Sequence, residues 1–187
     1  MSRIAGGGST RGEDGPAISA TLGVARDRET GATSGTPHRV IKVAAFVVRM
    51  APGSEPQLLV YVPDDNPSLP PRVPGGGVDD GEVPRQAVRR EVLEETGLDR
   101  LELVRPLGVH RYFKPYLGKN VERHDFLLRA IDWTPDSWRH RVLGRGGDAG
   151  DLLRLWWSKP GELGGLDEEH RATLTPAYLP ELFRPAP

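Results

Sequence analysis

Only one stretch of this chain can form a long α-helix, and that restriction limits the folds available to it. The 187 residues include 23 glycines and 18 prolines, a composition that predicts many turns and long loops. Residues 83–96 are the exception, because Pro84 lies near the first turn, where proline is tolerated, and Gly97 lies where a helix would end. Val88 and Val92, four residues apart, give this helix an apolar stripe for a core.

Strand patterns stand on both sides of this helix in the sequence. Before it, residues 38–50 and 57–63 are rich in β-branched and apolar residues, and the proline- and glycine-containing segment between them indicates a hairpin connection. After it, we predict strands near residues 101–113, 122–131 and 152–157, and a closing helix near 166–183, broken or ended by Pro176 and Pro180. This order predicts an α+β fold, an α/β/α sandwich with a mixed β-sheet.

The first 36 residues differ from the rest of the chain. They are mostly Gly, Ser, Thr, Asp, Glu and Arg with isolated apolar residues, and no helical or strand period continues through them. A segment with so few apolar residues cannot offset the entropy lost on ordering. We therefore predict a flexible N-terminal arm over residues 1–36 and one folded domain over residues 37–187.

Composition excludes several classes of function. The chain has no cysteine, which rules out disulfides, zinc sites built on thiolates and a cysteine nucleophile. The 25 basic and 26 acidic residues nearly balance, so bulk charge gives no case for binding nucleic acid or a membrane surface. No apolar stretch approaches the roughly 20 residues that span a bilayer. We expect a soluble, cytoplasmic protein.

Three glutamates lie on one face of the predicted helix. Glu91, Glu94 and Glu95 stand at positions i, i+3 and i+4, which are neighbours on a helix surface. Like charges at these spacings destabilise a helix by roughly a few tenths of a kcal/mol per pair. A hard divalent cation such as Mg²⁺ requires carboxylates that are grouped together without basic side chains among them. The pattern therefore predicts a metal site on this face.

The entrance of the helix adds a second feature. Three successive glycines, at 75–77, allow the backbone to approach a ligand closely. Glu82 precedes the helix, and Arg90 stands four residues before Glu94, so its guanidinium can brace the carboxylates by forked hydrogen bonds. A solvated acidic helix after a glycine turn explains each feature alone, but it does not explain the entire array.

The entire array matches a defined pattern, G-x5-E-x7-R-E-U-x-E-E-x-G-U, in which U is an apolar aliphatic residue. Its defined positions are Gly76, Glu82, Arg90, Glu91, Val92, Glu94, Glu95, Gly97 and Leu98. On this motif the chain resembles the Nudix hydrolases. The flanking strand pattern and the sequence near 157–163 extend the resemblance over roughly residues 38–183.

The resemblance implies a strand–loop–helix catalytic unit and a reaction. Members of the family hydrolyse a nucleoside diphosphate linked to another moiety, X, with Mg²⁺ or Mn²⁺. The implied metal ligands are Glu91, Glu94, Glu95 and the carbonyl of Gly75 or Gly76, and the implied brace is Glu82 with Arg90. The implied partner is a small nucleotide-type diphosphate: an ADP-ribose-like molecule, a nucleotide or a dinucleoside polyphosphate. A monomer and a homodimer both remain open.

The general base stays open, because the family uses either a glutamate of the motif or an acid on a later loop. Glu122, at the head of a predicted strand, is one candidate. Asp148 and Asp151, in the glycine-rich stretch 144–151, are others. For Glu122, an alternating strand with one solvent-exposed face explains the pattern equally well. For the glycine-rich stretch, a surface turn is the favoured interpretation.

Candidate substrate-binding residues lie in two places. Many relatives carry an aromatic residue shortly before the glycine turn, whereas this chain has Arg72 there, which would contact phosphate instead. The stretch 110–116 combines cations with aromatic rings, which can meet phosphates and stack on a base. The residues assigned there are Arg111, Tyr112, Lys114 and Tyr116. In this family, a proline or a tyrosine at this distance past the motif distinguishes enzymes for ADP-ribose-like substrates from those for dinucleoside polyphosphates. This chain has both, Pro115 and Tyr116, so the rule does not choose between the two substrate classes.

Three alternatives compete with the hydrolase interpretation. The first is a nucleotide-binding or sensor domain of the same fold that has lost catalysis, against which the intact set of three glutamates argues. The second is an isoprenyl diphosphate isomerase, a class of enzyme that relies on a cysteine, and this chain has none. The third is a transcription regulator, but no basic helix-turn-helix is visible in the sequence.

Overall fold

The computed structural model describes residues 39–50 and 54–184. The chain divides into two units, and these residues belong to the second, Gly35–Pro187. The arm predicted over residues 1–36 lies outside the described residues and stays a prediction. Within the described ranges, no helix has both the length and the apolar composition needed to cross a membrane.

Strands make up most of the regular structure in the described chain. They are β1 (Arg39–Arg49), β2 (Gln57–Pro63), β3 (Leu101–Lys114), β4 (Lys119–Ala130), β5 (Ser137–Arg141) and β6 (Leu152–Ser158). The α-helices are α1 (Pro84–Thr96), α2 (Glu168–Arg171) and α3 (Pro180–Phe183), and short 3-10 turns cover Pro115–Leu117 and Pro160–Gly165. The predicted long helix is α1.

All six strands form one sheet in the order β3-β4-β1-β2-β6-β5. The β1 and β4 strands run parallel and the other neighbouring pairs are antiparallel, which confirms the predicted mixed sheet. The sequence did not predict β5. Its five residues contain one large apolar side chain, Trp138, and lie at the edge of the sheet. Alternating hydrophobicity is the main sequence signal for a strand, and a short polar edge strand lacks it.

Both faces of the sheet are covered, which confirms the α/β/α sandwich. On one face Val43 and Val47 of β1 pack with Val88 and Val92 of α1. On the other face the alternate residues of β1 pack against the segment that follows β6. Because successive strand residues point to opposite faces, β1 contributes to both cores.

The closing helix predicted near residues 166–183, broken or ended by Pro176 and Pro180, is interrupted over a longer stretch than expected. Only two short helices of four residues each, α2 and α3, lie in this segment. Pro176 and Pro180 lack the amide hydrogen that a helix interior needs, so neither can lie inside a continuous helix. The segment is nevertheless anchored by buried leucines, which are Leu163, Leu166, Leu179 and Leu182.

The loop before α1 enters the sheet between β1 and β2. These strands pair with each other at their hairpin end. Further along, the amide of Val43 in β1 donates to the carbonyl of Gly76 at 3.0 Å. On the other side, Arg72 and Tyr61 of β2 exchange two backbone hydrogen bonds of 2.9 Å. The loop is thereby held at one end of the sheet, and its glycines lie beside α1.

Candidate active site

The apolar stripe of α1 is fully buried against the sheet, and the acidic side chains lie beside it on the helix. Val88 and Val92 are 0% exposed, and full burial of such a side chain contributes roughly 1.5–3 kcal/mol. The helix ends at Gly97, which has a left-handed φ of 76° and whose amide bonds to the carbonyl of Leu93. The remaining face carries the three glutamates of the motif.

Arg90 connects this helix face with the loop before it. Its guanidinium donates to both carboxylate oxygens of Glu82, from Nε at 3.1 Å and from Nη2 at 2.9 Å. Nη1 donates to Glu91 at 3.0 Å and to Glu94 at 3.1 Å. The hydrogen bonds from Arg90 lower the pKa of Glu82, so this carboxyl is charged at neutral pH. The geometry brings together the residues that the sequence assigned to the brace.

Glu95 is the most enclosed of the three glutamates, with 2% of its surface exposed. Its carboxylate accepts hydrogen bonds from the amide of Gly75 at 2.7 Å and from the hydroxyl of Tyr61 at 3.2 Å. Burial outweighs these bonds and raises the pKa of Glu95 to about 8. In the metal-free protein Glu95 is therefore largely protonated at neutral pH, and binding a cation requires it to release that proton.

Two glycines let the backbone lie directly against the other two glutamates. A Cβ at Gly76 would overlap the carboxylate of Glu91. A Cβ at Gly144, which follows β5, would lie 2.7 Å from Cδ of Glu94. Burial raises the pKa of Glu91, and the charge of Arg90 only partly opposes that rise. The carboxylates are thus enclosed between backbone segments that have no side chain to obstruct them.

The glutamates line an open cavity of about 720 Å³, which we call the carboxylate cavity. Its acidic residues are Asp79, Glu91, Glu94, Glu95 and Asp148. Its cationic residues are Lys42, Arg72, Arg90 and Arg145. A groove of about 790 Å³ lies elsewhere, beside Trp133 and Met50, and shares none of these residues. The carboxylate cavity is therefore the candidate active site.

The glycine-rich stretch after β5 forms one wall of this cavity. The amide of Leu143 donates to the carbonyl of Glu94 at 2.9 Å, near the end of α1 where helix carbonyls lack partners within the helix. This bond attaches the start of the loop to the acidic helix. As a result Asp148 lines the cavity, whereas Asp151 does not. Residues 144–150 are exposed and form bends and turns, as the surface-turn interpretation predicts, and Asp148 also lines the cavity.

The oxygen donors of this cavity fit a hard divalent cation. Carboxylate and carbonyl oxygens are the ligands that Mg²⁺ prefers, and enzymes usually bind it through one or two carboxylates together with waters and substrate phosphates. Within the described ranges, no three acidic or histidine side chains converge closely enough to form a metal centre by themselves. The three glutamates are held instead by the hydrogen bonds described above. The arrangement therefore suits a site that substrate phosphate completes.

A second cavity, of about 230 Å³, adjoins the first. We call it the tyrosine cavity, after Tyr61, Tyr112 and Tyr116 in its wall. The residues that line both cavities are Lys42, Tyr61, Arg72, Gly75 and Gly76. Of the residues assigned to substrate binding from the sequence, those that line the tyrosine cavity are Arg72, Tyr112, Lys114 and Tyr116.

Arg111, assigned from the sequence to substrate binding, and Glu122, a candidate general base, lie outside both cavities. They pair across β3 and β4, where Arg111 donates to Glu122 at 2.8 Å and Arg39 donates to the same carboxylate. Strand alternation is the reason, because the adjacent Tyr112 and Arg123 point to the opposite face, where the tyrosine cavity lies. The hydrogen bond from Arg111 also lowers the pKa of Glu122 and makes it a weaker base.

The sequence analysis missed several residues of the tyrosine cavity. Lys42 and Tyr61 lie on β1 and β2, and nothing in the strand pattern marks them as functional. Glu169 and His170 lie on α2, inside the segment for which the sequence predicted only a closing helix. Arg123 did carry a signal in the sequence, because it lies at the same alternation of β4 as the apolar Val121 and Leu127.

We expect His170→Phe to reduce the loss of stability in acid. Burial lowers the pKa of His170 to about 4, from an ordinary value of about 6.5. Between these values the unfolded chain binds a proton that the folded protein does not, so stability falls as the pH drops from about 6.5 to about 4. The slope from one such group is at most about 1.4 kcal/mol per pH unit. Phenylalanine preserves the packing against Phe46, whose ring lies edge-on at 6.5 Å.

Urea unfolding of both proteins between pH 4 and pH 7 measures this slope. The partly exposed His124, which hydrogen-bonds to Glu122, provides a control as His124→Gln. The control shows what removal of a histidine outside the cavity does to the slope. If His170→Phe keeps the slope of the wild type, His170 is not the group responsible.

A model of the NUDIX domain family matches residues 40–178. The chain is also 32% identical over 81 residues to an RNA pyrophosphohydrolase from Cereibacter sphaeroides, with the same match in three strains. That alignment covers 43% of this chain and 37% of the relative. The chain thus spans little more than a third of the length of the curated relatives it matches.

Solved structures share the architecture. An Ap4A hydrolase from C. elegans has a TM-score of 0.51 at 20% identity, covering 73% of this chain and 93% of its own. The E. coli dihydroneopterin triphosphate pyrophosphohydrolase has a TM-score of 0.55 at 16% identity, covering 75% of this chain and 95% of its own. At these identities the similarity establishes the fold alone.

Proposed function

Because this chain belongs to the NUDIX domain family, we propose that it uses Mg²⁺ or Mn²⁺ to hydrolyse the diphosphate bond of a small nucleoside diphosphate linked to another moiety, X. One observation carries the proposal: Glu91, Glu94 and Glu95 line a single cavity. Arg90 braces two of them. Like charges held together are costly, and a domain that only binds its ligand has no need of them.

The cations between the two cavities support a diphosphate substrate. Lys42 and Arg72 line both cavities, so they stand between the carboxylates and the tyrosines. Lys42 forms no ion pair within the described residues, and Arg72 approaches Asp167 only to 3.7 Å. Loosely paired cations in a cavity suit phosphate oxygens. We propose that they hold the diphosphate, with one end of the substrate in the tyrosine cavity.

Hydrolysis of an anionic diphosphate requires both charge neutralisation and an activated water, and a bound divalent cation supplies this chemistry. The glutamates of α1 would hold the cation, and Arg90 keeps them in place. Asp148 lines the same cavity, and its carboxylate has no hydrogen-bond partner within the described residues. We propose that Asp148 accepts the proton of the attacking water.

We expect Asp148→Asn to lower kcat by at least about 100-fold and to leave KM nearly unchanged, because the variant loses a proton acceptor but keeps every cation of the cavity. Steady-state kinetics on the best substrate measures both constants. Asp151→Asn is the matched control, since Asp151 lies on the same loop but outside the cavity. Equal kcat values for the two variants would assign the proton acceptor to another acid.

A screen of nucleoside diphosphate derivatives tests the proposed function. The protein is incubated with ADP-ribose, nucleotide sugars, nucleoside triphosphates and dinucleoside polyphosphates, in Mg²⁺, Mn²⁺ or EDTA, and phosphorus NMR identifies both products. Isotopically labelled water shows which phosphorus is attacked. We expect metal-dependent cleavage of at least one class. Binding without turnover in either metal would favour the alternative, a catalytically inactive nucleotide-binding or sensor domain.

A further inference from the structure

The tyrosine cavity contains a carboxylate that neutralises its innermost lysine. Lys114 is 8% exposed, and its Nζ lies 2.8 Å from Oε1 of Glu169 and 3.1 Å from Oε2. The hydroxyl of Tyr112 donates to the same carboxylate at 3.0 Å. Burial alone would raise the pKa of Glu169, but Lys114 and Tyr112 outweigh it and lower that pKa. Glu169 is therefore ionised at neutral pH, and it cancels the charge of Lys114.

Arg123 is also paired, and its contacts hold Glu169 in position. This residue is 3% exposed and donates to the fully buried Asp125 at 2.7 Å and 3.0 Å. It also donates to the backbone carbonyl of Glu169 at 2.7 Å. Because a buried ion pair with good geometry is rigid, α2 is fixed against the sheet and the Glu169 side chain is directed at Lys114.

The remaining charges leave the interior of the cavity nearly neutral. Burial lowers the pKa of His170 to about 4, so its ring is uncharged at neutral pH. Asp167 faces Arg72 at 3.7 Å. Lys42, at the boundary with the carboxylate cavity, is the one cation of the lining that has no carboxylate partner within the described residues. A phosphate is therefore favoured at the boundary, and an uncharged group beyond it.

We propose that Glu169 is a specificity-determining residue that restricts the tyrosine cavity to an uncharged group at one end of the diphosphate. This inference rests on the proposed function. Without Glu169, Lys114 would attract a phosphate or carboxylate of the ligand. The Glu169 carboxylate cancels that attraction and itself repels an anionic group of the ligand. Two parts of the substrate share the required chemistry: an uncharged sugar as X, and the nucleoside.

Two pairs of ligands that differ by one charged group test this inference. UDP-glucose and UDP-glucuronic acid differ at the sugar end, and ADP-ribose and its 2′-phosphate differ at the nucleoside end. Dissociation constants are measured by calorimetry on the full chain in EDTA, which stops metal-dependent turnover. For one of the pairs we expect the wild type to bind the uncharged member at least about tenfold more tightly than the anionic member.

Variants separate the effect of charge from damage to the fold. Glu169→Gln leaves the Lys114 charge uncancelled, so we expect the preference for the uncharged member to fall by at least about tenfold. Lys114→Met should strengthen that preference, and the double variant should return it towards the wild-type value. Structural damage would instead weaken the binding of both ligands of a pair. The exposed neighbour Glu168 is outside the cavity, and Glu168→Gln is the matched control.

The pair that responds identifies which end of the substrate enters the cavity. The role of Glu169 is overturned if Glu169→Gln keeps the wild-type preference in both ligand pairs. It is also overturned if the wild type binds neither of the two uncharged ligands. Failure of the proposed function is distinguished from both results, because it appears in the separate screen as an absence of metal-dependent hydrolysis.

Discussion

Replacing Glu95 with glutamine is expected to lower turnover by at least about 100-fold while the fold survives. The carboxyl of Glu95 is buried between the amide of Gly75 and the hydroxyl of Tyr61, and its pKa is raised to about 8. Glutamine has the shape of the protonated carboxyl, and its amide can accept from Gly75 while donating to Tyr61. Stability therefore changes little. Catalysis is lost because glutamine cannot become the anion that a hard cation requires.

Three measurements check this expectation: steady-state kinetics for turnover, calorimetry for Mn²⁺ affinity, and thermal unfolding for the fold. Glu102→Gln is the control, because Glu102 is a half-exposed residue of β3 that pairs with Arg129 at 3.2 Å on the surface. We expect the control to match the wild type in all three. A Glu95→Gln protein with wild-type turnover would remove Glu95 from the active site.

Arg90→Ala is expected to destabilise the metal-free protein and to weaken metal binding. Its guanidinium is the shared partner of three carboxylates, which are Glu82, Glu91 and Glu94. Because the Arg90 side chain is 28% exposed, solvent screens part of the repulsion that remains. We expect a loss of about 2–4 kcal/mol in the free energy of unfolding in EDTA. Added Mg²⁺ should recover part of this loss, because it binds the folded state and supplies positive charge.

Urea unfolding with and without Mg²⁺ measures both parts of this effect. Arg85→Ala, an exposed arginine on the same helix, is the matched control and should be nearly neutral. Arg90→Lys keeps the charge but loses the forked geometry, so its stability should lie between those of the wild type and the alanine variant. If Arg90→Ala unfolds and turns over like the wild type, Arg90 is merely a surface residue.

The sequence predicted the elements that carry a regular apolar pattern. The two strands of the hairpin, β1 and β2, and the helix α1 appear where alternation, proline and glycine placed them. The pattern failed for β5, a polar edge strand, and for residues 166–183, where buried leucines follow no helical period. In both places tertiary packing, and not local periodicity, decides the conformation.

The sequence by itself determined the acidic helix face and its arginine brace, because helical geometry relates Arg90, Glu91, Glu94 and Glu95 within two turns. Only the tertiary structure decided what surrounds that face. Lys114 and Glu169 are 55 residues apart in the chain and meet because α2 packs against the sheet. Arg111 lies outside both cavities for a related reason. Adjacent strand residues point to opposite faces, and the sequence alone does not say which face lines a cavity.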